Sequence, residues 1–417
     1  MLEALEAGVK GGVWFSLIDK VWREATLRLA FARVKANDGA AGVDHQSIAA
    51  FEARLEQEVA RLSDELRTGS YRPRAIRRTW IEKPGTPEKR PLGIPTVRDR
   101  VVQTAVVLVI APIFEREFVE HSYGFRPERS AKDALRRVEA LLKAGYTWVV
   151  DADLKGYFDS IRQDLLMADV SRRIADGRLL DLVRAFLEQP ITEGLASWTP
   201  TRGTPQGAVL SPLLANLFLH PVDVAMSEAG YEMVRYADDF VILCRSRDAA
   251  DRALAKVRRL CEDRGLTLHP TKTRIVDEQE PGDGFKLHGG TGGFDFLGYH
   301  FQRGRRWPRE KSLQRLKEAM RRKTRRSNGR SLDAIVADCN RTLCGWFGYF
   351  KHSHPWTFST IDRWVRRRLR SLLRKRTKRR GISRGLDHQR WPNAFFRAHG
   401  LFSLEGAHRA SLQSARG

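Results

Sequence analysis

The chain has 417 residues, 42% hydrophobic and 30% charged, as expected of a folded protein with two or three domains. A net charge of +24 and a pI near 10.4 favour nucleic acid as the partner and argue against a membrane surface. No apolar run is long enough to span a membrane, and the N-terminus lacks a signal-peptide pattern. The four scattered cysteines predict neither disulfides nor a zinc site, so we expect a cytoplasmic protein whose charge suits association with the nucleoid.

Helical and strand-like patterns alternate along the first two thirds of the chain. In chain order they predict helix 49–69, an extended basic hairpin over 70–95, helix 98–118, helix 130–145, strand 146–154, helical structure over 162–189, helix 210–226, a strand pair around 233–244 and helix 248–265. Strands flanked by helices predict an α+β fold in which a sheet packs on helices.

The positive charge is concentrated in residues 303–380, which hold 26 Lys or Arg against five acids. One interpretation is a solvated, disordered basic tail. Aromatic residues interleaved with the charges, as in "GWFGYF" (345–350), favour a folded segment instead. The stretch 361–375 also places its apolar residues on one helical stripe. We therefore predict a docked helix that presents its charge to RNA or DNA.

Acidic residues occupy two of the predicted strands. Asp151 and Asp153 share one face of "VVDADL", and a turn in "VRYADDFVIL" would place Asp238 and Asp239 at the tip of a hairpin. A lone Asp-Asp pair is usually a turn former or a surface feature. If the two elements lie side by side, however, the carboxylates converge and need a divalent cation, for which Asp oxygens suit Mg²⁺. Two such ions about 4 Å apart would stabilise the attacking and leaving oxygens of a phosphoryl transfer.

These acids belong to a series of motifs that resembles the group II intron-encoded reverse transcriptases and maturases. The motifs are "KRPLGIPTVRDRVVQTAV" (89–106), "SYGFRPERSAKDAL" (122–135), "DADLKGYFDSI" (151–161), "GTPQGAVLSPLLANLFL" (203–219), "YADD" (236–239), "GLTLHPTKTRIV" (265–276), "FDFLGYHF" (294–301) and "LCGWFGYFKHSHPWTFSTIDRWVRRRLR" (343–370). The resemblance covers roughly residues 35–405. Because the motifs occur together in this order along the chain, the resemblance is far more specific than one based on "YADD" alone.

The resemblance implies an α+β right-hand polymerase, with fingers and palm, followed by an α-helical thumb or maturase domain X. The expected divisions are 1–75 (N-terminal extension and start of the fingers), 76–302 (fingers and palm), 303–385 (basic helical thumb or domain X) and 386–417 (a short C-terminal segment). Since the cysteines all precede residue 345, we expect no Cys/His-rich endonuclease domain.

The resemblance also implies site residues. Asp153, Asp238 and Asp239 would be the catalytic ligands of two Mg²⁺ ions, and Tyr236 would lie near the primer end. The nucleotide-binding candidates are Lys83, Arg90, Phe158, Gln206, Gly207 and Lys272. The Phe158 ring would clash with the 2′-hydroxyl of a ribonucleotide, and the alternative for this residue is core packing. The alternative for Lys83 and Arg90 is that both are solvated surface charges. We predict that Asp151 either is structural or supports the metal ligands from behind without belonging to the triad, and that Asp159 caps a helix.

The RNA-binding candidates all lie on the basic helix of the C-terminal segment. They are Arg363, Arg366, Arg367, Arg368, Arg370 and Lys375. The expected partners are an RNA template, which is the protein's own intron RNA in the main interpretation, a DNA primer and dNTPs, with no membrane.

Three functions remain open at this point. The first is an intron-encoded enzyme that copies RNA into DNA and helps its intron to splice. The second is a domesticated reverse transcriptase that serves host defence or DNA repair without an intron partner. The third is a maturase whose polymerase is inactive, against which the intact "YADD", Asp153 and "PQG" argue.

Overall fold

The computed structural model describes residues 12–82, 89–280, 292–379, 381 and 385–414. The chain divides into two compact units, Met1–Ile275 and Val276–Gly417. Among the described residues, no helix has the length and apolar character needed to cross a membrane.

The first unit is built from helices packed on two small sheets. Its helices are α1 (Ile18–Val21), α2 (Glu24–Asn37), α3 (Ile48–Glu52), α4 (Leu55–Thr68), α5 (Val97–Glu115), α6 (Ala131–Lys143), α7 (Tyr157–Ser160), α8 (Gln163–Ser171), α9 (Gly177–Leu187), α10 (Ser211–Glu228) and α11 (Arg247–Asp263). Its strands are β1 (Ile76–Glu82), β2 (Lys89–Ile94), β3 (Trp148–Asp153), β4 (Ile191–Glu193), β5 (Ala196–Trp198), β6 (Glu232–Tyr236) and β7 (Asp239–Cys244), and β8 (Arg274–Asp277) starts at its end. The predicted α+β class is confirmed.

The predicted basic hairpin forms one edge of the first sheet. β1 pairs antiparallel with β2, and the strand order is β2-β1-β4-β5. β1 pairs in parallel with β4, so the segment after α9 returns to the same sheet. The hairpin therefore belongs to a four-stranded sheet that the sequence pattern alone did not define.

The second sheet carries the acidic strands, in the order β6-β7-β3-β8. β7 pairs antiparallel with β6 and with β3, which confirms the predicted hairpin around 233–244. Along β3, Val150 and Ala152 are buried whereas Asp151 and Asp153 are half-exposed. The alternation that the sequence predicted places the apolar side chains in the core and both acids on the opposite face.

Two predicted helices are interrupted. The segment 49–69 forms α3 and α4, and the segment 162–189 forms α8 and α9. Asp176 explains the second break, because it caps α9 at Leu179 and also accepts from the backbone N–H of Leu17 and Ile18. The prediction for Asp159 was wrong, since this residue lies inside α7, whose N-cap is Gly156.

The second unit contains a small sheet and a helical layer. Its strands are β9 (Phe294–Phe296), β10 (Tyr299–Gln302) and β11 (Arg305–Pro308), and its helices are α12 (Glu310–Lys323), α13 (Leu332–Phe350), α14 (Trp356–Arg376), α15 (Gly385–Arg390), α16 (Asn393–Ala398) and α17 (Leu404–Gln413). Ile361, Val365 and Leu369 of α14 are buried in its core. The basic segment is thus folded, and the interpretation as a disordered tail was wrong.

Candidate active site

A tight hairpin turn places the acidic pair beside the end of β3. Tyr236 on β6 stands opposite Asp239 on β7, so only Ala237 and Asp238 form the loop. Ala237 has a φ of 59°, as at the first central position of a type II′ turn. This conformation costs a residue with a Cβ about 1–2 kcal/mol, which the surrounding structure has to offset.

The strand register brings the third acid to the same place. Asp153, the last residue of β3, stands opposite Asp239. Burial raises the pKa of Asp238 above the usual range for an aspartate, and the negative charge of Asp153 raises it further, whereas Arg90 and Arg235 oppose the shift. Asp153 and Asp238 are therefore close enough to repel each other, as the sequence predicted for a carboxylate cluster.

A stability measurement can detect this repulsion. Since folding raises the pKa of Asp238, the wild type loses stability as pH rises from the unfolded value of 3.8 through the folded one. Asp238→Asn removes the charge and keeps the shape, so in EDTA its Tm should exceed that of the wild type by an amount that grows as the pH rises above 3.8 and levels off once the pH has passed the folded pKa of Asp238. Thermal melts of both proteins across this pH series measure the difference in Tm. A variant that melts below the wild type at pH 7, or an equal gain in Asp151→Asn, would contradict this expectation.

Lys272 lies directly against the first acid of the cluster. Its Nζ is 2.7 Å from Asp153 Oδ2, and the Asp153 carbonyl oxygen accepts from the backbone N–H of His269 at 2.7 Å. The neighbouring Asp151 pairs instead with Arg274, whose Nε is 3.3 Å from Asp151 Oδ2. The two acids on this face of β3 thus have different cationic partners, which agrees with the predicted structural role of Asp151.

The cluster offers the donor chemistry that a hard divalent cation requires. Asp153, Asp238 and Asp239 supply carboxylate oxygens from two paired strands and the loop between β6 and β7. Within the described part of the chain, no group of three His, Cys, Asp or Glu side chains is already arranged to hold a metal ion. The residue types fit Mg²⁺, and the assignment of these three as its ligands stays a prediction.

The "PQG" segment approaches β2 closely. Gly207 has a φ of 103°, and a Cβ there would lie 2.5 Å from the carbonyl oxygen of Gly93. The Gly93 N–H in turn donates to the carbonyl oxygen of Gln206 at 2.6 Å. Gly207 therefore allows a close contact between the loop and β2, and a side chain there would separate the two, whereas its role in nucleotide binding stays a prediction.

Phe158 lies beside this loop. Its carbonyl oxygen accepts from Thr204 N–H at 2.9 Å, and Gly203 N–H donates to Ile161 at 2.7 Å. The Phe158 ring is half-buried and stands edge-on to Tyr157, at 5.4 Å between centroids. Arg90 is exposed on β2, and Lys83 lies outside the described residues. The structure therefore places the backbone of Phe158 against the loop that contains Gln206 and Gly207. Arg90 is close enough to Asp238 to oppose the rise of its pKa.

A buried arginine under the turn was not predicted from the sequence. Arg235 of β6 is 1% exposed and pairs with Asp223 of α10, which is 4% exposed. Nη1 also donates to Asn216 Oδ1 at 3.0 Å and to the carbonyl oxygen of Ala237 at 2.8 Å, and Nη2 donates to Ser122 Oγ at 2.7 Å. An arginine in an apolar strand, and an aspartate in an apolar helix, were the available signals, because each buried charge needs a partner.

The RNA-binding candidates on α14 differ in exposure. Arg363, Arg367 and Lys375 are exposed, whereas Arg366 and Arg368 are half-buried. Arg368 donates to the side chain of Thr324, and Arg366 Nη1 lies 4.0 Å from Asp362. Arg370 is 2% exposed and donates to the Trp391 carbonyl oxygen and to Asn393. This burial and these hydrogen bonds favour a structural role for Arg370 over the predicted contact with RNA.

Comparison with known proteins agrees with this arrangement. The family model for the reverse transcriptase (RNA-dependent DNA polymerase) matches residues 81–301, and the group II intron, maturase-specific domain matches residues 313–391. The matched families thus identify an RNA-directed DNA polymerase of mixed helix and sheet structure, followed by a helical region. The chain belongs to the group II intron reverse transcriptase and maturase family.

Two relatives and one solved structure illustrate the similarity. Protein YkfC of Escherichia coli (strain K12) is 34% identical, over 63% of this chain and 76% of YkfC. The group II intron-encoded protein LtrA of Lactococcus lactis subsp. cremoris is 38% identical, over 40% of this chain and 28% of LtrA. A chain of the partial Cas6-RT-Cas1–Cas2 complex is 25% identical, over 59% of this chain and 42% of its own length, with a TM-score of 0.39.

Proposed function

We propose that the protein is the polymerase of a group II intron, that it extends a DNA primer on an RNA template from dNTPs, and that it binds its intron RNA to assist splicing and mobility. The observation that carries the proposal is the register of the second sheet. It sets Asp153 opposite Asp239, with Asp238 in the adjoining loop, in a chain that also has a maturase-specific domain.

The three carboxylates would hold two Mg²⁺ ions, which, when bound, supply the positive charge that phosphoryl transfer needs at its attacking and leaving oxygens. Lys272 neutralises Asp153 in the structure and, as a long flexible side chain, can turn from the carboxylate towards a nucleotide phosphate. Tyr236, opposite Asp239 in the register, would lie near the primer end.

The remaining nucleotide contacts are proposed from the family resemblance, and for Arg90 also from its electrostatic effect on Asp238. Arg90 on β2, together with Lys83, would bind the triphosphate, for which a guanidinium offers charge-assisted hydrogen bonds. Gln206 and Gly207 would line the pocket for the base and sugar, and the Phe158 ring would exclude a 2′-hydroxyl. The polymerase part would end near residue 302, and residues 303–385 would bind RNA.

The exposed charges of α14 allow a test of RNA binding. Replacing Arg363, Arg367 and Lys375 by Gln should weaken RNA binding and reduce the salt dependence of log Kd by about one per lost phosphate contact. Binding titrations at several salt concentrations measure both quantities. The matched control removes three exposed charges from α11, with Arg252, Lys256 and Arg259 changed to Gln. An equal loss in the control variant would contradict the assignment of RNA binding to α14.

Polymerase and maturase functions need separate experiments. Purified protein with Mg²⁺, a primed RNA template and dNTPs should extend the primer, and failure to extend would overturn the polymerase part. The maturase part predicts an intron domain V hairpin in the DNA close to the gene, and the protein should accelerate splicing of that intron at low Mg²⁺. A flanking sequence without such a hairpin would favour the domesticated enzyme instead.

A further inference from the structure

The buried Arg235 uses its whole guanidinium inside the protein. Nε and Nη2 donate to the two carboxylate oxygens of Asp223, and the remaining N–H groups donate to Ser122, Asn216 and Ala237. Five N–H donors therefore have five acceptors, which is the condition under which a buried arginine is tolerated. Four of these bonds go to α10 and to the segment before Gly124, and one goes to the active-site turn.

The bond to the turn acts on the peptide that carries Asp238. Its acceptor is the carbonyl oxygen of Ala237, at 2.8 Å from Nη1, and this carbonyl belongs to the Ala237–Asp238 peptide group. The orientation of that peptide decides where the Asp238 side chain points. Because Ala237 holds a φ of 59°, a bond from a fixed donor favours this orientation over the relaxed alternatives.

The same network fixes the turn from its other side. Asn216, which accepts from Arg235, donates to the carbonyl oxygen of Gly124 at 2.7 Å. A Cβ at Gly124 would lie 2.2 Å from the backbone nitrogen of Ala237. Gly124 therefore lies directly against the turn, and Asn216, which binds its carbonyl oxygen, also binds Arg235.

We propose that Arg235 is a positioning residue for polymerisation, which, with Asp223 and Asn216, fixes the Ala237–Asp238 peptide so that the Asp238 carboxylate meets the divalent cation in one orientation. This inference rests on the proposed function and deepens it. Arg235 is 1% exposed and all its N–H groups bond protein atoms, so its effect would pass through the turn. If it served the fold alone, its loss would lower stability and leave metal affinity unchanged.

Arg235→Lys separates these two roles. The lysine keeps the charge for Asp223 but cannot reach all the acceptors of a planar guanidinium. We expect Mn²⁺ affinity, measured by electron paramagnetic resonance without substrate, to fall by about fivefold or more, and kcat at saturating Mg²⁺ to fall by about tenfold or more. The KM for dNTP should stay within about twofold, because the nucleotide contacts are on other residues.

The matched control is Arg98→Lys. Arg98 is also buried and also forms a bidentate pair, with Glu65 on α4. Both variants should lower Tm, and only Arg235→Lys should change Mn²⁺ affinity. An Arg235→Lys protein with the metal affinity and kcat of the wild type would overturn the proposal, as would an equal loss of metal affinity in Arg98→Lys.

Asn216→Ala covers the case in which Arg235→Lys does not fold. It removes one acceptor from Nη1 and the donor to Gly124, so the same changes are expected in smaller measure, and unchanged Mn²⁺ affinity would overturn the proposal. Failure of the proposed function is distinguishable. If the wild type does not extend primers and Arg235→Lys nevertheless binds Mn²⁺ more weakly than the wild type, the polymerase assignment fails. The positioning role of Arg235 is then retained.

Discussion

Asp238→Ala is expected to abolish primer extension, with a loss of about 10³-fold or more in kcat, while RNA affinity stays unchanged. The carboxylate stands in the loop beside the Asp153–Asp239 pair, so its removal takes one of the proposed cation ligands and leaves the sheet intact. Alanine also suits the turn, because it adds no bulk. Single-turnover extension on a primed RNA template and an equilibrium binding titration measure the two quantities.

The matched control for this variant is Asp151→Ala. Asp151 lies on the same face of β3 as Asp153, but it pairs with Arg274. Loss of that half-exposed ion pair should cost about 1 kcal/mol of stability or less, and extension should stay close to the wild-type rate. Extension by Asp238→Ala, or an equal loss in Asp151→Ala, would show that the cation ligands have been misassigned.

The buried and exposed faces of the acidic strands were predictable because side chains alternate between the two faces of a strand. The pattern of "VVDADL" decides which side chains are buried, and the structure places Val150 and Ala152 in the core accordingly. The register between β3 and β7 was not predictable in the same way. It depends on long-range pairing, and it is what sets Asp153 opposite Asp239. The sequence identified the acids as a group only through the order of the motifs around them.

The pair of Arg235 and Asp223 shows what the pattern analysis left out. Each is the buried charge of a largely apolar element, Arg235 in β6 and Asp223 in α10, and each was treated there as part of a strand or helix pattern. When two buried segments each carry a charge of opposite sign, the two side chains are expected to pair, because a buried charge without a partner is strongly destabilising. Which of the possible partners meet depends on the packing of α10 on β6.

Counting the charges of the basic helix α14 does not determine which of them are available to bind RNA. Composition correctly indicated a concentrated positive surface, yet α14 uses several of its arginines for its own unit. Arg370 bonds the Trp391 carbonyl oxygen, and Arg374 pairs with the buried Asp387. Sequence spacing alone did not separate these from Arg363 and Arg367, because the helix is covered on more than one side. Only the exposed members are candidates for phosphate contacts.

Phe158→Ala is expected to relax the discrimination against ribonucleotides, raising the ratio of kcat/KM for rNTP over dNTP by about 10- to 100-fold. A bulky ring beside the Gln206 loop would collide with a 2′-hydroxyl and offer it no hydrogen bond, so the penalty disappears when the ring is removed. Extension with each nucleotide set on the same primed RNA measures the ratio.

The alternative role of Phe158 is core packing, since its ring is half-buried against the first unit's core. Tyr157→Phe provides the control, because it disturbs the adjacent buried aromatic, whose hydroxyl donates to the Ala215 carbonyl oxygen, and leaves the Phe158 ring in place. Both variants should lower Tm, but only Phe158→Ala should admit ribonucleotides. If Phe158→Ala lowers Tm and keeps the wild-type selectivity, the ring belongs to the core and does not exclude the 2′-hydroxyl.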